Sequence, residues 1–69
     1  MHQPDVIKRL KDRREQLGVT QEQLAELSAV AVRTVKALDS GKGNPTVRTL
    51  IKLADVLGME LKLEVRKPG

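Results

Sequence analysis

Sixty-nine residues without a cysteine leave room for one domain whose core is modest, and neither disulfides nor thiolate–metal sites can reinforce it, so a partner subunit is the obvious further source of stability. The charge balance, 13 Lys+Arg against 9 Asp+Glu for a net charge of +4, favours polyanionic partners, though mild basicity is a weak signal by itself. The chain has no Phe, Tyr or Trp, which argues against modes that stack single-stranded bases on aromatic rings and leaves duplex DNA, read through grooves and phosphates, as the compatible nucleic acid.

Apolar residues at helical spacing predict a first helix over about 4–17, with Val6, Ile7, Leu10 and Leu17 on one face. Pro4 suits its first turn and Gly18 the position just beyond its end. The start of a second helix is the clearest local signal. Thr20 and Gln23 form a capping box, and Val19 and Leu24 occupy the positions of a hydrophobic staple. This helix carries Leu24 and Leu27 and is expected to end near Ser28. A third helix follows over about 32–39, with Val35 and Leu38 inward and Gly41 as its stop. Residues 42–45 form a loop. Thr46 is a good cap for a fourth helix over 47–57, with Leu50, Ile51, Ala54 and Leu57 at helical spacing and Gly58 beyond.

After Gly58 the apolar period changes from 3.6 to 2: Met59, Leu61, Leu63 and Val65 alternate with Glu60, Lys62, Glu64 and Arg66, the pattern of a half-buried strand. No other segment reads as a strand, so its backbone groups need a partner in a second copy of the chain. An antiparallel pair centred on Leu63 sets Glu60 against Arg66, Lys62 against Glu64 and Leu61 against Val65. Centring on Lys62 or Glu64 faces like charges across the axis, and centring on Leu61 pairs fewer residues. The expected architecture is all-α, a four-helix domain over 1–58, with a dimerising strand over 59–66 and a tail over 67–69.

Two short helices joined by a tight turn, the second with a polar outer face, form a helix-turn-helix pattern. The run Thr20-Gln21-Glu22-Gln23-Leu24-Ala25-Glu26-Leu27, then Arg33-Thr34-Val35, then Asp39-Ser40-Gly41-Lys42-Gly43-Asn44-Pro45-Thr46 resembles the Cro-like, or Xre, family of repressors. The resemblance covers about 6–57 and implies a lambda-repressor-like helical domain that binds duplex DNA. The 59–66 strand is similar to that of HipB-like antitoxins, which dimerise through a C-terminal strand and bind a kinase toxin.

The resemblance implies roles for particular residues. Gln21, opening the second helix, binds a phosphate, helped by the partial positive charge of the helix N-terminus. Base reading falls to Val32, Arg33 and Ala37 on the third helix. Arg33 can span O6 and N7 of guanine, or meet a phosphate instead. Val32 can touch a thymine methyl or pack against a partner. Lys36 is expected at phosphate. In the loop, Ser40, Lys42, Asn44 and Thr46 are phosphate candidates, while Asn44 and Thr46 also suit turn and cap chemistry. Arg14 sits on the apolar stripe of the first helix, where a charge needs a partner, and the family places an acid at the end of the third helix against it; Asp39 holds that position. Two departures stand out. Ala29 replaces the frequent turn glycine, and Ala31 replaces the usual Ser or Thr cap of the third helix.

His2 is the only histidine, and Ser28 and Ser40 have no histidine base, so neither zinc binding nor nucleophilic catalysis has support, and no cofactor is expected. The chain reads as a non-enzyme. No apolar run approaches the ~20 residues of a membrane span, and the N-terminus lacks a secretory pattern, so a cytoplasmic location is the expectation. Two functions fit: a dimeric, DNA-binding transcriptional repressor, or an antitoxin that neutralises a toxin protein, with or without autoregulatory DNA binding. A third, a helical bundle with no DNA target, stays open because Val32 and Ala37 make a thin base-reading face.

Overall fold

A computed structural model describes residues 3–62 as four α-helices: α1 (Gln3–Gln16), α2 (Gln21–Ser28), α3 (Val32–Asp39) and α4 (Val47–Val56). The capping box at α2 forms as the sequence predicts. Thr20 Oγ1 accepts from the Gln23 N–H at 3.0 Å, and Gln23 Oε1 accepts from the Thr20 N–H at 2.9 Å, which satisfies two backbone donors that a helix start leaves open. Thr46 caps α4 likewise, accepting from the Thr49 N–H at 3.1 Å. α3 starts on Ala31 with no side-chain cap.

All four helices stop by the same chain reversal, in which two amides beyond the helix reach back to carbonyls of its last turn. The pairs are Val19→Arg14 and Gly18→Glu15, Val30→Ala25 and Ala29→Glu26, Lys42→Ala37 and Gly41→Leu38, and Met59→Ala54 and Gly58→Asp55. The reversal needs one left-handed residue. Three times that residue is glycine; after α2 it is Ala29, with φ at 58°. A methyl-bearing residue there costs about 1 kcal/mol, offset in part by the greater freedom glycine brings to the unfolded chain. Because Ala29 is exposed, removing its methyl uncovers no core. Ala29→Gly is therefore expected to raise the melting temperature by roughly 2–5 °C, measured by far-ultraviolet circular dichroism. A lower melting temperature would show that the turn is not strained.

The core is Val6 and Leu10 of α1, Leu24 and Ala25 of α2, Val35 and Leu38 of α3, and Leu50, Leu53, Ala54 and Leu57 from α4 and its end. α2 packs on α3 and α4, and α1 packs on α3. Three residues expected inside lie at the surface: Leu27 is 66% exposed, and Leu17 and Ile51 are nearly half exposed. On α2 the inward positions are 24, 25 and 28, which leaves 27 on the flank. On α4 they are 50, 53 and 54, so Leu53 takes the depth expected of Ile51 and is among the most buried side chains, at 1% exposure. Leu17 falls one residue beyond the observed end of α1 and turns outward with the chain reversal.

Beyond α4, residues 59–62 have no regular secondary structure, yet their burial alternates: Met59 and Leu61 are partly buried against the core, Glu60 and Lys62 exposed. Leu63, Glu64, Val65 and Arg66, the rest of the expected strand and the centre of its expected pairing, lie outside the described residues.

Candidate nucleic-acid interface

The α2–turn–α3 unit is fixed from behind by one arginine. Arg14 of α1 donates from Nη1 to the Val19 carbonyl at 2.8 Å and from Nη2 to Asp39 Oδ2 at 2.8 Å. Each side chain of the ion pair is only 12% exposed. Thus the residue just before the α2 cap and the last residue of α3 are held to one guanidinium. The same Asp39 oxygen accepts a second hydrogen bond, 2.9 Å from Gln21 Nε2 at the start of α2. A carboxylate only accepts, so the Gln21 amide must face it with its NH2 group. One N–H and the amide oxygen of Gln21 remain for an outside ligand. Behind the unit, Arg13 Nε donates to the Leu57 carbonyl at 3.1 Å, tying α1 to the end of α4.

The outer side of α3 presents the predicted base-reading positions unequally. Arg33 is exposed and carries no ion pair among the described residues. Val32 is 38% exposed, an apolar side chain open to contact. Ala37 is half-buried, and a side chain at Gly43 would begin 3.6 Å from its methyl carbon, at ordinary contact distance. Lys36 is exposed but not free: its Nζ lies 3.5 Å from Glu22 Oε2, across the turn on the first turn of α2. The Glu22 carboxyl is held below the usual carboxylate range, first by its own backbone N–H and then by Lys36.

In the loop after α3, Lys42 and Asn44 are exposed. The Ser40 hydroxyl donates to the Ala37 carbonyl at 3.0 Å, closing its own helix end. Thr46 shares a hydrogen bond with the Thr49 hydroxyl at 3.1 Å while capping α4. The hydroxyls of Ser40 and Thr46 are thus engaged in local structure, and a phosphate would have to recruit them from it. Three contacts have no counterpart in the sequence reading: Gln21–Asp39, Glu22–Lys36 and Arg13–Leu57. Each joins residues on different elements, where residue spacing carries no signal.

Residues 10–63 match the helix-turn-helix family. The chain belongs to that family. Among its relatives it is 40% identical over 58 residues to an HTH-type transcriptional regulator of Haemophilus influenzae, a match covering 84% of this chain and 59% of the relative. It is 34% identical over 53 residues to the cryptic phage CTXphi transcriptional repressor RstR of Vibrio cholerae, covering 77% of this chain and 47% of the relative. An HTH-type transcriptional regulator of Methanothermobacter thermautotrophicus is 37% identical over 51 residues, 74% of each protein. The chain thus spans about half the length of the first two relatives. In this helix-turn-helix protein the described residues include no cluster of potential metal ligands and no helix long and apolar enough to cross a membrane.

Proposed function

We propose that this chain is a non-enzymatic, duplex-DNA-binding transcriptional repressor of the cytoplasm that acts as a homodimer. The observation that carries this reading is the α2–α3 unit, which belongs to a family of DNA-binding regulators and turns Arg33 outward, without an ion pair among the described residues, on a helix braced from behind. In this reading residues 1–58 form the DNA-binding unit. Val32 and Arg33 meet base edges, with half-buried Ala37 in a minor role. Gln21, Lys36 and Lys42 contact phosphates together with Asn44, and the hydroxyls of Ser40 and Thr46 join when recruited from their local hydrogen bonds. Residues 59–66 pair with a second copy, and the alternation of Met59, Glu60, Leu61 and Lys62 supports that use. Two recognition helices then enter successive major grooves about 34 Å apart.

Binding to genomic fragments, with Arg33→Ala beside the parent, tests the reading. Loss of a bidentate guanine contact is expected to weaken the selected site roughly 10- to 100-fold while changing random duplex only a few-fold. An equal loss on every sequence would move Arg33 to a phosphate. A parent protein that retains no fragment above competitor DNA overturns the repressor reading. One observation favours a second function, neutralising a toxin protein: Leu17 and Leu27 stand exposed around a surface hollow with Val19, Gln23 and Glu26, an apolar patch for which DNA reading has no use.

A further inference from the structure

Glu22 is an acid placed where a protein that binds phosphate would be expected to avoid one. It follows Gln21 on the first turn of α2, where backbone N–H groups lack helical partners and attract anions. Its carboxylate already draws on what that corner offers: its own backbone N–H, then Lys36, hold it below the usual carboxylate range, and Oε2 lies 3.5 Å from the Lys36 ammonium. Those are the donors a phosphate oxygen would seek. Both side chains are more than half exposed, so the pair adds little to the stability of the fold. Its effect falls on whatever approaches the α2–α3 face.

We propose that Glu22 is a specificity-determining residue: it acts as an internal phosphate mimic, occupying Lys36 and opposing phosphates, and so suppresses binding to arbitrary duplex. This rests on the DNA-binding reading above. While Glu22 is charged, Lys36 adds almost no net charge to the face, and a backbone phosphate must displace or share the carboxylate. A selected site, with base contacts from neighbouring residues, meets that cost; a random sequence does not. The acid therefore lowers non-specific affinity more than specific affinity, which widens the ratio on which regulation depends.

Four proteins test the proposal: the parent, Glu22→Gln, Lys36→Ala and the double variant. Each is titrated over a range of salt against a random-sequence duplex and against a duplex selected by the parent. Glu22→Gln keeps size and helix propensity and frees Lys36. It is expected to tighten random duplex about three- to tenfold at low salt and to steepen the salt slope by about two phosphates per dimer, one for each freed Lys36. The selected duplex should gain less. Lys36→Ala should weaken random duplex by a clearly smaller factor in the parent than in the Glu22→Gln background, where it removes the gain, a non-additivity that reports the pair directly. Thermal unfolding of each variant separates these effects from loss of fold. If the parent binds DNA and Glu22→Gln leaves affinity and slope unchanged, the proposal fails alone. It also fails if Lys36→Ala costs the parent as much as it costs Glu22→Gln, or if Glu22→Gln weakens only the selected duplex, as a carboxylate bound to a cytosine amine would. A parent that binds no duplex removes this proposal together with the reading beneath it.

Discussion

Replacing Asp39 with alanine is expected to lower the melting temperature by about 10–20 °C and to weaken DNA binding with it. The carboxylate accepts from Arg14 at 2.8 Å and from Gln21 at 2.9 Å through one oxygen. Without it, among the described residues the guanidinium keeps only the Val19 carbonyl, and its Nε already has no partner there. Breaking a fully buried pair costs about 3–5 kcal/mol. Residual solvent contact here brings the expected loss to about 2–3 kcal/mol, consistent with hydrogen bonds to charged groups. Stability and function separate in a second variant. Arg14→Met with Asp39→Leu replaces the pair by apolar groups and should recover most of the melting temperature, while DNA affinity stays low because Gln21 has lost its anchor and α3 its fixed pose. Thermal unfolding and a DNA titration on the two variants decide the matter. A shift under about 3 °C for Asp39→Ala would mean that the pair does not hold the unit.

Raising monovalent salt fourfold is expected to reduce DNA affinity by about 10² to 10³. The estimate follows from charge on the proposed face. Arg33 and Lys42 are exposed without ion pairs among the described residues, which gives about four cations per proposed dimer and a slope near −3.6. Full participation of Lys36 raises the count to about six and the slope to about −5.4. The neutral donors Gln21, Asn44 and Thr46 position the duplex but displace few counterions. Fluorescence anisotropy of a labelled duplex across a salt series gives the slope. A value near zero would remove phosphate contact from the mechanism.

What the sequence discloses here is mostly what four consecutive residues can encode. The Thr20–Gln23 box, the Thr46 cap and the glycine stops are local hydrogen-bond chemistry, and the helix boundaries read from them lie within about one residue of those observed. Which side faces inward is less legible in short helices. Eight residues make little more than two turns, so Leu27 sits close enough to the Leu24 stripe to pass for core, and Ile51 stands beside Leu50 in the same way. The site is legible in its inventory but not in its pairings. Asp39 could be matched to Arg14 through family resemblance, but the reach of Gln21 to the same oxygen depends on how α2 and α3 cross. The Glu22–Lys36 contact depends on the turn between them. Such angles follow from packing the whole core, and residue spacing does not report them.

The core is built wholly from aliphatic side chains, without an indole or phenol ring anywhere in the chain. The molecule is therefore almost silent in the near ultraviolet. Its concentration must be taken from peptide absorbance, and its unfolding from ellipticity rather than emission. That silence is useful in a mixture. Any tryptophan fluorescence belongs to the other component, so a protein partner carrying that residue would signal capture by this one without a label on either.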